Sequence, residues 1–211
     1  CLWESPLLHP THVAHGLARP GRCPGRYHCA PLRPEVQHLG RFLGRGSDLG
    51  IPHDGAVDRL VSQALYLSDP EGNGIEVYAD RPPETWTWNG NQVAMAVDPF
   101  NIEALMRDNP GVLDDFPAGS RLGHMHITSG DVGRSVDFYR ELGMNLTAGF
   151  GAFRFVSWER YHHHLGINLL NGPDAERVSD EVAGLEYYEI ARQGLEPGTL
   201  LDPDGIRLEL R

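Results

Sequence analysis

The sequence predicts an α+β fold built from a repeated unit of a strand, a helix and further strands. Its 211 residues include 25 glycines and 16 prolines in short clusters, which is typical of short elements joined by many turns. A hydrophobic fraction of 40% is enough for a real core. The motif DPxG with a glutamate four residues after the glycine occurs twice, ending at Glu76 and at Glu209. This recurrence indicates an internal repeat.

The first repeat unit follows a segment that prolines interrupt. Residues 1–25 show no sustained period, so we predict no regular element there. A strand at 27–30 leads to Pro34, which suits the first turn of a helix with an apolar face. Gly44 and Gly46 are predicted to end this helix.

A β-hairpin is the clearest local prediction. After a predicted loop at 47–58, an apolar strand at 64–67 runs into the turn sequence DPEGNG at 69–74. The second strand carries Glu76 between two apolar residues. This carboxylate either faces solvent or points inward, where a cation must offset its desolvation.

The second unit repeats the first in outline and is followed by a shorter tail. Its predicted elements are a strand at 123–128, a helix between the cap Asp131 and Gly143, strands at 152–155 and 161–169, and tail strands at 185–190 and around Glu209. The chain therefore divides into five predicted segments: 1–25, 26–88, 89–120 with a short helix at 101–107, 121–172 and 173–211.

Charge and cysteine content exclude several classes of protein. The formal net charge of −11 argues against nucleic acid or an anionic membrane surface as partner. No apolar run approaches the roughly 20 residues of a membrane span, and the amino end lacks a secretion signal, so we expect a cytoplasmic protein. Three cysteines without a CxxC pair favour neither a disulfide framework nor a cysteine zinc site.

Histidines concentrate on the predicted strands of both units. Among the 11 are His28 on the first strand of one unit, His124 and His126 on the first strand of the other, and the run 162–164 on its last strand. Two imidazoles from equivalent strands and one hairpin carboxylate would form a 2-His-1-carboxylate site. Such a site leaves coordination positions open and suits non-haem Fe(II).

Four stretches carry a family resemblance: YHCA at Tyr27, ALYLSDPEGNGIEVYADRP at Ala64, LGHMHI at Leu122 and YHHHLGIN at Tyr161. They resemble the vicinal oxygen chelate superfamily of glyoxalases, bleomycin resistance proteins and extradiol dioxygenases. Within it they are most similar to bacterial ring-cleaving enzymes of the catechol 2,3-dioxygenase type. The resemblance covers residues 26–170 and implies βαβββ modules paired into half-open barrels around a metal. It implies incomplete terminal modules, with 1–25 as a remnant or truncated module.

The resemblance also implies a metal site. Carried over residue by residue, the ligands are His28, His124 and Glu76, and the metal is Fe(II), with Mn(II) as an alternative divalent ion. A second ligand set, His124, His164 and Glu209, stays open, because the second motif also ends in an acid.

Further residues are assigned to catalysis by the same resemblance. Tyr66 matches a tyrosine that hydrogen-bonds substrate, and His163 best matches the histidine that shuttles protons. Arg59 stands where relatives have a histidine. Because arginine stays protonated, we expect impaired acid–base chemistry at this position, although Arg59 could hold an anionic intermediate. The substrate-binding candidates are His126, His162 and His164, the last two being register alternatives to His163.

The implied function is that of an Fe(II)-dependent extradiol dioxygenase that cleaves a catechol-like aromatic ring with dioxygen. We expect a homodimer in the cytoplasm that takes part in aromatic degradation. Two alternatives stay open: another metal-dependent isomerase or lyase of glyoxalase type, and a non-catalytic drug-sequestering or degenerate member. Metal content separates the non-catalytic class from the enzymes, and dioxygen consumption separates the two enzymes.

Overall fold

The computed structural model describes residues 8–14, 23–113, 115–173 and 184–211. The chain forms two compact units, one of residues 28–121 and one of residues 1–27 with 122–211. The strands are β1 (Leu8–Ala14), β2 (Gly25–Arg33), β3 (Gly55–Asp58), β4 (Ser62–Ser68), β5 (Gly74–Asp80), β6 (Trp88–Asn89), β7 (Gln92–Val93), β8 (Asp98–Pro99), β9 (Arg121–Thr128), β10 (Asn145–Phe150), β11 (Phe153–Ser157), β12 (Leu165–Asn168), β13 (Gly184–Ile190), β14 (Gly198–Leu201) and β15 (Arg207–Leu210). The helices are α1 (Gln37–Asp48), α2 (Ile102–Asp108), α3 (Val132–Glu141) and a 3₁₀ turn at Pro83–Thr85.

The unit of residues 28–121 contains a complete strand, helix and three-strand module. In it β2 pairs in parallel with β5, and β5, β4 and β3 follow as antiparallel neighbours. Helices α1 and α2 cover one face of this sheet. Their leucines, Leu39, Leu43 and Leu105, pack against Leu65 and Val77 of the strands. The apolar stripe of α1 therefore forms the core of this unit, as the sequence pattern predicts.

The other unit repeats this topology. Strand β9 pairs in parallel with β12, and β12, β11 and β10 are antiparallel neighbours. Helix α3 begins at the predicted cap, because the Asp131 side chain accepts hydrogen bonds from the backbone N–H groups of Gly133 and Arg134. The tail strands form a separate sheet with β1, in which β1 is antiparallel to β13, β13 is parallel to β15, and β14 is antiparallel to β15. Among the described residues of the tail there is no helix.

The predicted α+β class and its repeated βαβββ order are confirmed, while several elements are corrected. Strand β3 lies in the predicted loop, and β10 has no predicted counterpart. Strand β1 lies within the segment 1–25, where no element was predicted; residues 1–7 and 15–22 of that segment, and 174–183 of the tail, lie outside the described residues. The segment boundaries stay predictions. No helix of the described residues is long and apolar enough to cross a membrane.

Helix α1 continues past the glycines that were predicted to end it. A Cβ atom on Gly40 would lie 2.7 Å from Cβ of Asn109, and one on Gly44 would lie 2.7 Å from the carbonyl oxygen of Gly111. These glycines therefore allow α1 to lie close to the end of α2 and to the segment after it. Gly40 and Gly44 serve packing, whereas a Cβ atom on Gly46 would meet nothing closer than 3.9 Å.

The histidine run is also placed differently. Strand β12 comprises only residues 165–168, so His162, His163 and His164 lie in the loop before it. The strand predicted at 161–169 is therefore shorter than predicted, and the strand register that made His162 and His164 alternatives to His163 does not extend to them.

Candidate metal centre

The turn between β4 and β5 sets the position of Glu76. The Asp69 carboxylate accepts hydrogen bonds from the backbone N–H groups of Glu71, at 3.0 Å, and Asn73, at 2.7 Å. Gly72 adopts φ +83°, a left-handed conformation that glycine adopts without strain. With this turn closed, Glu76 lies directly opposite Tyr66 in the β-ladder.

His28 and Glu76 form a buried pair on neighbouring strands. Nε2 of His28 lies 2.9 Å from Oε2 of Glu76, and the side chains are 4% and 5% exposed. The parallel register of β2 and β5 sets His28 opposite Gly74, two residues before Glu76. Of the two predicted alternatives, Glu76 therefore points inward and does not face solvent. An imidazole nitrogen and a carboxylate oxygen, both typical metal ligands, therefore meet among buried side chains.

Tyr66 and Arg59 adjoin this pair. Nη2 of Arg59 donates a hydrogen bond to the Tyr66 hydroxyl at 2.7 Å, and the His28 and Tyr66 rings meet edge to face with centroids 5.9 Å apart. Burial, and after it the neighbouring Glu76 carboxylate, raises the pKa of Tyr66 above its ordinary value of 10.0. Tyr66 is therefore a neutral hydrogen-bonding group near neutral pH.

A tight turn between β3 and β4 holds Arg59. Leu60 adopts φ +67°, which is uncommon for a residue with a side chain. Its backbone N–H donates to the Asp58 carboxylate at 2.9 Å, and Asp58 also pairs with Arg81. The backbone N–H of Arg59 donates to the Ser62 carbonyl at 2.8 Å. This turn directs the guanidinium toward Tyr66.

In the other unit, His124 is buried beside His163. His124 is the fourth residue of β9, as His28 is the fourth residue of β2. It is 1% exposed, and its ring centroid lies 4.1 Å from that of His163. The Phe155 ring meets His163 edge to face, with centroids 4.8 Å apart. The repeat therefore presents a buried histidine at the same strand position in each unit.

The consecutive histidines have different partners. Nδ1 of His162 lies 2.7 Å from Nδ1 of His163, so one nitrogen donates and the other accepts when both rings are neutral. The Thr147 hydroxyl donates to the His162 carbonyl at 2.5 Å. Nδ1 of His164 lies 2.6 Å from Oγ of Ser157. Of the three, His163 alone has a ring contact with His124 among the described contacts.

His126 lies in an aromatic environment that depends on a glycine. A Cβ atom on Gly166, its partner on β12, would lie 2.8 Å from the His126 ring. The rings of Tyr27 and Phe155 meet His126 edge to face, at 5.1 and 6.0 Å between centroids. Phe155 and Ser157 contact histidines from alternate positions of β11, and neither was predicted as a site residue. Their spacing of two residues was the sequence signal that both side chains lie on the same face of the strand.

Glu209 has a different environment from Glu76, although the preceding turns share their hydrogen bonds. Asp202 accepts from the backbone N–H groups of Asp204 and Ile206, at 3.0 and 2.8 Å, as Asp69 accepts in the first turn. Glu209, however, bonds to the hydroxyl of Thr199 at 3.0 Å and lies 3.1 Å from Nε of Arg207. Within the part of the chain that the structure describes, Glu209 belongs to no group of three potential metal ligands.

The predicted site residues thus fall into two sets. The unit of residues 28–121 brings together His28, Arg59, Tyr66 and Glu76. The other unit brings together His124, His163 and His162, while His126 contacts Tyr27 and Phe155 and His164 contacts Ser157.

Comparison with known proteins supplies further evidence. No protein-family model matches the sequence. A catechol-2,3-dioxygenase of Bacillus subtilis (strain 168) is 38% identical over 172 residues, which are 79% of this chain and 60% of that protein. A solved structure from Bacillus subtilis subsp. subtilis str. 168, described as a proposed dioxygenase, aligns with a TM-score of 0.57 at 13% identity. The alignment covers 92% of this chain and 64% of the chain of that structure. This likeness shows a shared fold, and the chain spans less than two thirds of each relative.

Proposed function

The chain belongs to the vicinal oxygen chelate superfamily, and on that premise we propose that it is a metal-dependent extradiol dioxygenase that cleaves a catechol-like aromatic ring. The observation that carries the proposal is the buried contact of 2.9 Å between His28 and Glu76. An ionised carboxylate is costly to bury unless a cation or hydrogen bonds compensate it. A buried imidazole and carboxylate with no bulky side chain between them suit a divalent metal.

We propose His124 as the third ligand. His28, Glu76 and His124 are all buried and are the donor types of a 2-His-1-carboxylate site. His124 also has the same strand position in its module as His28. This set fits Fe(II), with Mn(II) as an alternative. When bound, the metal lowers the pKa of the substrate hydroxyl groups and holds substrate and dioxygen together.

His163 is the proposed proton carrier. Its Nδ1 is engaged with Nδ1 of His162, so Nε2 is the atom that we expect to accept a substrate proton and return it. Such a group contributes roughly two to four orders of magnitude in rate. Phe155, edge-on to His163, limits the directions that its ring can take. We propose His126 and His164 as contacts to the aromatic substrate.

Anaerobic reconstitution with Fe(II), followed by catechol and air, tests this function. We expect dioxygen uptake and the yellow ring-opened product, and no product from the Glu76→Gln variant. Absence of product and of dioxygen uptake despite stoichiometric iron would overturn the dioxygenase proposal in favour of a glyoxalase-type isomerase or lyase. Failure to bind any divalent metal would favour a drug-sequestering or degenerate protein.

A further inference from the structure

The hydrogen bond from Arg59 determines which way the Tyr66 hydroxyl can donate. The guanidinium of arginine has donors only. In the contact of 2.7 Å between Nη2 of Arg59 and the Tyr66 hydroxyl, the phenol oxygen must therefore accept. The single hydrogen of the phenol is then directed away from Arg59.

Glu76 is in position to receive that hydrogen. Tyr66 and Glu76 are directly opposite each other in the antiparallel β4–β5 ladder, so their side chains leave the sheet on the same face. Burial first, and then the Glu76 carboxylate, raise the pKa of the Tyr66 hydroxyl, as expected for a phenol that faces this acid. Because an ionised carboxylate only accepts, a hydrogen bond between the two side chains must run from Tyr66 to Glu76.

We propose that Tyr66 is a positioning residue for the Glu76 carboxylate and that Arg59 sets the direction of its hydrogen bond. This inference rests on the proposed function, because it takes Glu76 as a metal ligand. The resemblance assigned Tyr66 to the substrate instead. The family resemblance places a histidine, which can either donate or accept, at the position of Arg59, which can only donate. With Arg59 as the donor to its oxygen, the Tyr66 hydroxyl therefore donates its own hydrogen to the Glu76 carboxylate.

The Glu76 carboxylate is then held in position by side chains of both neighbouring strands. His28 and Tyr66 approach the same carboxylate from a neighbouring strand on each side, since β5 lies between β2 and β4. Hydrogen bonds to a ligating carboxylate orient it, and their loss typically lowers metal affinity about 10- to 100-fold.

Titration calorimetry of Mn(II) with the metal-free protein tests this role without any turnover. We expect Tyr66→Phe, which keeps the ring and removes only the hydroxyl, to raise the Mn(II) dissociation constant about tenfold. Arg59→Met should raise it by a smaller factor, and Arg59→Lys, which keeps a donor-only cation, should restore most of the affinity. The Arg59→Met, Tyr66→Phe double variant should match Tyr66→Phe alone, because Arg59 acts through Tyr66.

The outcomes separate this inference from the proposed function. A wild-type protein that binds Mn(II) and a Tyr66→Phe variant with the same dissociation constant would overturn the inference and leave the metal site standing. Additive losses in the double variant would overturn the action of Arg59 through Tyr66. A wild-type protein that binds no Mn(II) or Fe(II) would overturn both proposals. Thermal unfolding of each metal-free variant serves as the folding control.

Discussion

Asp202 is a buried carboxylate that joins the last turn of the chain to helix α3. It accepts two backbone hydrogen bonds within its own turn and a third, at 3.0 Å, from the Tyr139 hydroxyl. The Tyr139 oxygen in turn lies 2.6 Å from that of Tyr188. Burial raises the pKa of Asp202 to about 6, and the nearby charge of Asp204 adds to the rise. This network has no role in the proposed reaction and stabilises the tail.

The raised pKa predicts a pH dependence of stability. Between the ordinary value of 3.8 and about 6, the folded state binds more protons at Asp202 than the unfolded state does. The free energy of unfolding therefore falls as pH rises through this range, by at most about 3 kcal/mol, and the loss is complete above the folded value. Urea unfolding of the wild type and of Asp202→Asn at pH 4.5 and 7.5 measures this change in the free energy of unfolding. If the free energy of unfolding changed equally in the two proteins, the assignment of this pH dependence to Asp202 would be contradicted.

Residue-level reasoning from sequence succeeds where local chemistry decides. Asp131 caps α3 as predicted, and Gly72 takes the left-handed conformation that a DPEG turn favours. It fails at His162, His163 and His164, where the partners are set by residues of another strand and by one another.

At the scale of the element, glycine substitutions in helix α1 test whether its glycines allow close packing. Gly40→Ala should destabilise the protein by about 1–3 kcal/mol, because the new Cβ would meet Asn109 and the Leu105 carbonyl at 2.7 and 2.8 Å. Gly46→Ala in the same helix is the matched control, since its Cβ would meet nothing closer than 3.9 Å. It should stabilise by about 0.4–1 kcal/mol. Chemical denaturation measures both, and stabilisation by both substitutions would contradict the packing role.

Strands β3 and β10 are among the elements that the sequence did not predict. Strand β3 has four residues, GAVD, of which none is fully buried, so it lacks the alternation of a half-buried strand. Its extended conformation depends on pairing with β4 and β8. Strand β10 depends in the same way on β11. Pairing with a neighbouring strand, rather than local propensity, creates these elements.

At the scale of the whole molecule, the two DPxG motifs predict different responses to the same substitution. We expect Glu76→Gln to abolish divalent metal binding, because it removes the only carboxylate of the proposed ligand set. Glu209→Gln should leave binding nearly intact, since that side chain bonds Thr199 and Arg207. Elemental analysis of both variants after loading with Fe(II) compares them, and the reverse result would favour the ligand set of His124, His164 and Glu209. The homodimer and the cytoplasmic location stay predictions.

The sequence by itself determined the repeat, the α+β class and the two acidic hairpins, because turn residues, caps and apolar periodicity act over a few neighbouring residues. Only the tertiary structure decided between the two acids. Both follow turns with the same hydrogen bonds, yet Glu76 meets a buried histidine on β2 while Glu209 meets a half-exposed arginine on its own strand. Which side chain faces an acid across a sheet depends on strand order and on the register between strands that lie far apart in the sequence, as β2 and β5 do. The buried histidine on the adjacent strand is what makes Glu76 the candidate ligand.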